Sequence, residues 1–225
     1  MKNLLILIPP SEGKQKGGTL KKLGKANKLV SPMIKALINF KGDHEKLLGV
    51  KGPKLEESIE TNKNILTSPT MPAIERYSGV VFDGIDYSSL SSKGKNYFDK
   101  HVRIISAIFG LVSPQDLIPD YKLKIEKLNA DKYWKPIITD LIKESYIIDL
   151  LPQAHAKALS YSNGVRIDFV LNKDGKRKPA GHNGKLIKGK FVRFLCENQI
   201  KSVKDFSKFK EDGFVFDGTN FIKST

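Results

Sequence analysis

The 225-residue sequence has a single cysteine, Cys196. No disulfide can form within the chain, which fits a reducing compartment and predicts a cytoplasmic protein. No apolar run approaches the roughly eighteen residues needed to cross a bilayer, so no membrane association is expected. The apolar start, Met1 to Ile8, runs through Leu-Leu-Ile-Leu-Ile into Pro9-Pro10 without a small-residue cleavage site. It predicts a buried strand rather than a secretion signal. The four histidines, His44, His101, His155 and His182, share no metal-ligand spacing and have no cysteine beside them in sequence. No zinc site and no cofactor is therefore expected, and an iron site built from scattered His and carboxylates has little support. The Gly-x-Ser-x-Gly elbow is missing, which excludes that type of serine hydrolase.

Acidic residues are missing altogether from residues 13–42, which carry eight Lys. Residues 173–193 carry eight Lys or Arg against one Asp. These two windows account for the whole formal charge of +15 and leave the rest of the chain neutral. Focused charge of one sign points to a polyanionic partner, double-stranded DNA first. The plain alternative is a solvated lysine surface, since 34 of the 39 basic residues are Lys.

Hydrophobic residues make up 40% and charged residues 28%, ordinary globular values. The length suits one domain over residues 1–225. Strand-like and helix-like segments alternate. Leu4–Ile8, Gly79–Phe82, Arg103–Phe109, Tyr146–Leu150 and Arg166–Leu171 read as strands. Ser31-Pro32 opens a helix with Met33, Ile34, Leu37 and Ile38 on one face. Leu55, Ile59 and Leu66 suggest another helix, and Trp134–Ile142 a third, with Ile137, Ile138, Leu141 and Ile142 on one side. Lys185–Leu195 is a basic amphipathic helix with Cys196 in its core pattern. Phe214–Phe216, Asp217-Gly218 and Phe221-Ile222 read as a hairpin. Residues 13–30 and 172–184 read as mobile polar loops. The expected fold class is α+β: a compact domain with one mixed sheet surrounded by helices.

Several segments could carry chemistry. Pro9-Pro10-Ser11-Glu12-Gly13-Lys14 follows a strand, but a phosphate loop needs Gly where Ile8 sits and Ser or Thr where Gln15 sits. What remains is Ser, Glu and Lys at the carboxyl end of a strand, either a ligand site or a polar turn. In Leu47–Leu55, Gly49 and Gly52 precede a helical pattern. This is similar to the hairpin of helix-hairpin-helix modules, where glycine lets backbone amides approach a phosphate; a plain tight turn is the alternative. Asp83, read at the end of a strand, caps a helix or lines a pocket. Phe109–Tyr121, with Gly110, Pro114 and Pro119, reads as a rigid architectural loop. On the basic helix, Lys188 and Arg193 are five apart, about 140° around the axis, and so face different ways. Gly189, four before Arg193, leaves room for a ligand or another backbone.

Taken together, PPSEGK at 9–14, LLGVKGPKLEESIETNKNIL at 47–66, PTMPAIERYSGVVFDGID at 69–86, ISAIFGLVSPQDLIPDYKLKI at 105–125, the lone Trp134 and GKLIKGKFVRFL at 184–195 resemble the YaaA (DUF328, UPF0246) family over nearly the whole chain. Two positions depart from the family pattern: Lys188 precedes Gly189 where an Arg is usual, and Ser113 stands where an Arg usually precedes the first Pro of the middle motif. The resemblance implies a compact α+β fold with a helix-hairpin-helix-like element and a basic cleft. It implies DNA binding without strong sequence preference. It also implies a role in peroxide stress that limits iron-dependent oxidative damage.

Two functions follow as expectations. In the first, a DNA-binding protein grips phosphates through Gly49, Val50, Lys51, Gly52 and Lys54 on the turn and Lys185, Lys188, Lys190 and Arg193 on the basic helix. No obligate protein partner is inferred. In the second, an enzyme gathers Ser11, Glu12, Lys14, Tyr77, Asp83 and Arg193 around an anionic substrate, with Glu12 or Asp83 as acid or base.

Overall fold

The computed structural model describes residues 3–19 and 21–224; Met1, Lys2, Leu20 and Thr225 lie outside the described residues. In chain order the elements are β1 (Leu4–Ile8), α1 (Ser31–Ile38), α2 (His44–Leu48), α3 (Pro53–Lys63), β2 (Met71–Pro72), α4 (Ala73–Arg76) and α5 (Val80–Ile85). Then come α6 (Ser92–His101), β3 (Val102–Ser106), β4 (Gly110–Val112), β5 (Leu117–Ile118), α7 (Ala130–Ile142) and β6 (Tyr146–Asp149). The chain ends with α8 (Gln153–Ala156), β7 (Gly164–Arg166), β8 (Phe169–Lys173), β9 (Lys176–Pro179), α9 (Gly181–Glu197), β10 (Val215–Phe216) and β11 (Phe221–Ser224).

Five aliphatic residues in a row need cover on both faces of a sheet. The chain supplies it. β1 is the middle strand of a five-stranded sheet ordered β4-β3-β1-β6-β7, in which β3, β1, β6 and β7 are parallel and β4 closes one edge antiparallel. Successive side chains point to opposite faces. Leu4, Ile6 and Ile8, with Ile104 and Ile148, join a core built with α5, α6 and α9. Leu7, Ile105 and Ile147 join a second core with α1, α2 and α7. The chain passes from β1 to β3 on one side and later to β6 on the other, so the strand order reverses between β1 and β6. In open parallel sheets, ligand crevices form at the carboxyl ends of strands at such a reversal.

Expectation and structure differ in places. The one predicted sheet is three: beside the five-stranded sheet stand a four-stranded mixed sheet, β10-β11-β8-β9, and a two-stranded β2-β5 ribbon. The fold is mixed α/β with helices and mixed sheets. Arg166–Leu171 divides at Ile167-Asp168 between β7 and β8, one strand for each larger sheet. Residues 172–184 form the β8–β9 turn at Asp174-Gly175, strand β9 and the start of α9, not a loop. Ser31 opens α1 but does not cap it; the Asn27 side chain accepts from the Leu29 and Val30 amides instead. Leu66 lies beyond the end of α3. On α7 the buried stripe is Ala130, Trp134, Ile138 and Ile142, and Leu141 is exposed. Among the described residues no helix is long and apolar enough to cross a membrane.

The largest correction is Gly79–Phe82, which begins helix α5 rather than forming a strand. Two glycines explain it. α5 crosses α9 with Gly84 facing Gly189, so closely that a Cβ on Gly189 would lie 2.1 Å from the Val81 carbonyl oxygen and 2.8 Å from the Gly84 Cα. A second backbone thus fills the gap at Gly189. Phe82 and Ile85 reach the core only because the two backbones touch. Gly189→Ala should therefore destabilise the fold by about 3 kcal/mol or more, since neither neighbour is a flexible side chain. Urea unfolding checks this; a loss below about 1 kcal/mol contradicts the crossing.

Candidate functional site

Pro9 and Pro10 cannot donate to a ladder, so β1 stops where the sheet reverses. The following loop is pinned against α4 and its exit. Ser11 Oγ accepts from the Ser78 amide at 3.0 Å, the Gln15 amide donates to the Arg76 carbonyl at 2.8 Å, and Lys14 pairs with Tyr77 in an isolated antiparallel bridge. Beneath it lies Arg76, fully buried. Its guanidinium donates to the carbonyls of Gln15, of Gly17 at 2.8 Å, of Pro69 at 3.2 Å and of Ile118 at 3.3 Å. Residues 13–17 are thus held by hydrogen bonds to Arg76 and Ser78. Burial lowers the pKa of Arg76, and the nearby charge of Asp120 opposes that shift.

This anchoring holds Lys14 in place. Its Nζ donates to the Ser11 carbonyl at 3.1 Å and sits 4.3 Å from the Tyr121 ring centroid and 5.5 Å from that of Tyr77. Burial pushes the amine down to about 8; Asp120 and Glu12 oppose the shift, and Lys122 and Arg76 add to it. Behind it runs a buried hydroxyl chain, Tyr77 to Tyr121 to Ser106, with both links 2.8 Å. Burial raises both phenols, Tyr121 to about 12. The Phe109–Tyr121 loop is architectural, as Trp134 packs on Gly110 and donates to the Ala107 carbonyl. It also delivers Tyr121 to the site.

Lys14 lines a cavity of about 240 Å³ with Ser11, Glu12, Tyr121, Lys122, Lys124, Glu126, Pro152 and His155. Its walls come from the ends of β1 and β6, the point of reversal. Glu12 lies 3.4 Å from Lys122 Nζ and 3.2 Å from Lys124 Nζ. Burial pushes its carboxyl up, but the Lys124 hydrogen bond and the two lysine charges outweigh that and hold it below the usual range. His155 Nδ1 is buried without a hydrogen-bond partner, and burial lowers the imidazole to about 4.

Pro152 is shared with a second cavity, of about 730 Å³, lined by Arg166, Asp168, Lys185 and Lys188. Lys188 donates to the Leu150 carbonyl, and burial lowers it to about 8 against the opposing charges of Asp168 and Asp149. Asp149, buried at the end of β6, accepts from the Leu151 amide at 2.8 Å and pairs with Arg166 at 3.4 Å. On the far side of the first cavity, Lys124 lies against the α2–α3 turn: a Cβ on Gly49 would be 3.7 Å from its Nζ. That turn has positive φ at both Gly49 and Gly52, with Val50 packed on the core and Lys51 and Lys54 exposed.

Of the six residues expected around a substrate, Ser11, Glu12, Lys14 and Tyr77 converge. Asp83 and Arg193 do not. They line a separate cavity with Lys190 and Glu197. Asp83 is an exposed residue inside α5, because the expected strand is a helix. Arg193 spends its fork on the end of α5, donating to the carbonyls of Ile85 at 3.1 Å and Asp86 at 2.9 Å and to Ser89 Oγ at 2.8 Å. Lys190 pairs with Glu211. The sequence reading missed Arg76, Tyr121, Lys122, Lys124, His155 and Arg166 as site residues. The one signal was the alternating Tyr121-Lys122-Leu123-Lys124, which places two Lys on one side of an extended segment.

Two consequences are measurable. Arg76→Met strands several buried carbonyls and should cost about 3 kcal/mol or more by chemical unfolding; an unchanged midpoint contradicts the clamp. His155 titrates at about 4 folded against 6.5 unfolded, so between those values only the unfolded chain takes up the proton. Stability should fall as pH drops from 6.5 towards 4, and His155→Gln should flatten that part of the profile. Identical slopes for variant and parent contradict the burial of this imidazole.

The site can be set beside known proteins. The "UPF0246 protein" of Francisella tularensis subsp. novicida (strain U112) is 31% identical, covering 76% of this chain and 76% of its own length. The "UPF0246 protein" of Francisella philomiragia subsp. philomiragia is 28% identical, covering 83% of each. The family described as "Peroxide stress protein YaaA" matches residues 4–220. That match runs from the first residue of β1 to the residue before β11 and takes in both cavities. The chain belongs to the peroxide stress protein YaaA family.

Proposed function

We propose that the protein binds duplex DNA through the phosphate backbone, largely without regard to sequence, within the peroxide-stress role of its family. The observation that carries the reading is that two lysine-bearing cavities share the lining residue Pro152. From the glycine turn, Lys124 and Lys122 lead to Pro152, and Lys185, Lys188 and Arg166 continue beyond it. Gly52 has no Cβ to keep a phosphate from the backbone, whereas the Gly49 amide already donates to the Glu45 carbonyl at 2.8 Å. Lys51 is 85% exposed and 3.5 Å from a half-exposed Glu45, a pair too weak to withhold it from a stronger anion. Lys190 and Arg193, expected as phosphate contacts, line a separate cavity and are left out of the contact set; Lys122, Lys124 and Arg166 have carboxylate partners of their own but line the two cavities that share Pro152.

Binding should weaken steeply with salt. With about five phosphates neutralised, the log–log slope should be about −4 to −5. Lys54→Gln, Lys124→Gln and Lys185→Gln should each reduce it by about one, and Lys190→Gln should leave it unchanged. Gel shifts from low to moderate salt test this. Affinity indifferent to salt, or an equal loss at Lys190, contradicts the reading.

A second reading, an enzyme acting on a small anionic substrate, is favoured by the first cavity alone. A nucleic-acid groove needs only exposed cations; it does not need a largely buried lysine in the same cavity lining as a histidine whose Nδ1 has no hydrogen-bond partner among the described residues.

A further inference from the structure

We propose that Lys14 is a nucleophilic amine that forms an imine with a phosphate-bearing aldehyde held in the cavity between β1 and β6. The ring-opened sugar of a base-less nucleotide in DNA is the source the groove favours. This inference rests on the phosphate-binding reading of the groove.

The geometry supplies each requirement. Lys14 is largely buried, yet it is one of the residues that line the cavity. Its position is fixed by the Ser11 carbonyl and the two tyrosine rings, so it does not swing freely as a surface lysine does. No carboxylate lies within ion-pair distance of it among the described residues, so it is not committed to a salt bridge; Glu12 in the same wall faces Lys122 and Lys124 instead. A phosphate entering the cavity competes with the Glu12 carboxylate for those two lysines. At about 240 Å³ the cavity has space for a small sugar.

Burial also changes how much nucleophile there is. An amine titrating at about 8 is about a tenth unprotonated at pH 7, against less than about one part in a thousand for an ordinary lysine. Desolvated lysines of this kind are the ones that form Schiff bases.

The step balances without an oxidant or reductant. Lys14 Nζ adds to the aldehyde carbon, and a nitrogen–carbon bond forms. The carbonyl oxygen takes up the two hydrogens that leave the amine and departs as water, leaving C=N. Glu12, which lines the same cavity, is the group able to relay a proton.

The experiment is reductive trapping with cyanoborohydride, using two probes: a labelled duplex carrying one base-less site, and free glyceraldehyde 3-phosphate. Adducts on the unaltered protein are located by peptide mass mapping, which needs no variant to fold. The expected result is a reductant-dependent adduct on Lys14 with the duplex, reduced about a hundred-fold in Lys14→Arg. Affinity of Lys14→Arg for intact duplex should stay within about three-fold, since the charge is kept. An adduct on Lys14 with the free sugar phosphate only supports the imine and moves its source from DNA to a small metabolite. No adduct with either probe overturns the proposal, as does one spread over exposed lysines and undiminished in Lys14→Arg. Failure of trapping with salt-dependent binding to intact duplex intact would remove the imine and leave the DNA reading standing; loss of both would remove the two together.

Discussion

A single buried guanidinium organises this end of the molecule. Arg76 gathers carbonyls from the loop after β1, from the segment before β2 and from β5, and so ties that loop to the β2-β5 ribbon. Taking a cation out of water costs several kcal/mol, and its charged hydrogen bonds return about 1.5–3 kcal/mol each, so the net stabilisation is modest. What the clamp provides is position. A neutral or shorter side chain cannot satisfy carbonyls that point inward from four directions, so the loop has one low-energy path. That path sets Lys14 over Tyr77 and Tyr121, and the nearby Arg76 charge helps keep the amine from protonating.

From there the chemistry follows the sheet. Parallel strands β1, β6 and β7 all end on the same side, and each releases a polar residue there: Ser11 after β1, Asp149 at the end of β6, Arg166 at the end of β7. Lysines from the 121–124 segment and from α9 close over them. Two amines, Lys14 and Lys188, titrate at about 8 for the same reason, burial that outweighs nearby carboxylates. The charge that shapes the site is therefore not the charge that stands out in composition. Of the basic helix, Lys185 stays exposed, Lys188 turns inward, Lys190 meets Glu211, and Arg193 ties down α5.

Elements whose local pattern matched their environment were legible in the sequence. β1 and β6 are apolar runs covered on both faces, and β11 follows a turn that Asp217 stabilises by accepting two amides. α9 keeps its helical stripe from Ile187 to Cys196. Misreadings arose where a distant partner decides. Gly79–Phe82 has the residues of a strand, but Gly189, over a hundred positions later, lets α5 approach as a helix. Leu141 fits the apolar spacing of α7, yet it is exposed, with no element over it among the described residues. In the site, Ser11, Glu12 and Lys14 were visible because they are contiguous after a strand. Lys122, Lys124 and His155 were not, because only the reversal between β1 and β6 brings them opposite that loop. Asp83 and Arg193 were drawn into the same constellation by residue type, and the α5–α9 crossing puts them in a different cavity.

The account stands on buried, uncommitted lysine at the ends of the parallel strands. Heteronuclear NMR titration of the lysine side chains measures this directly, with Lys14→Arg and Lys188→Arg assigning the two signals. The account predicts that these two amines lose their protons near 8, well before the exposed lysines, which titrate near 10.5. Lys14 titrating with the exposed lysines would contradict it.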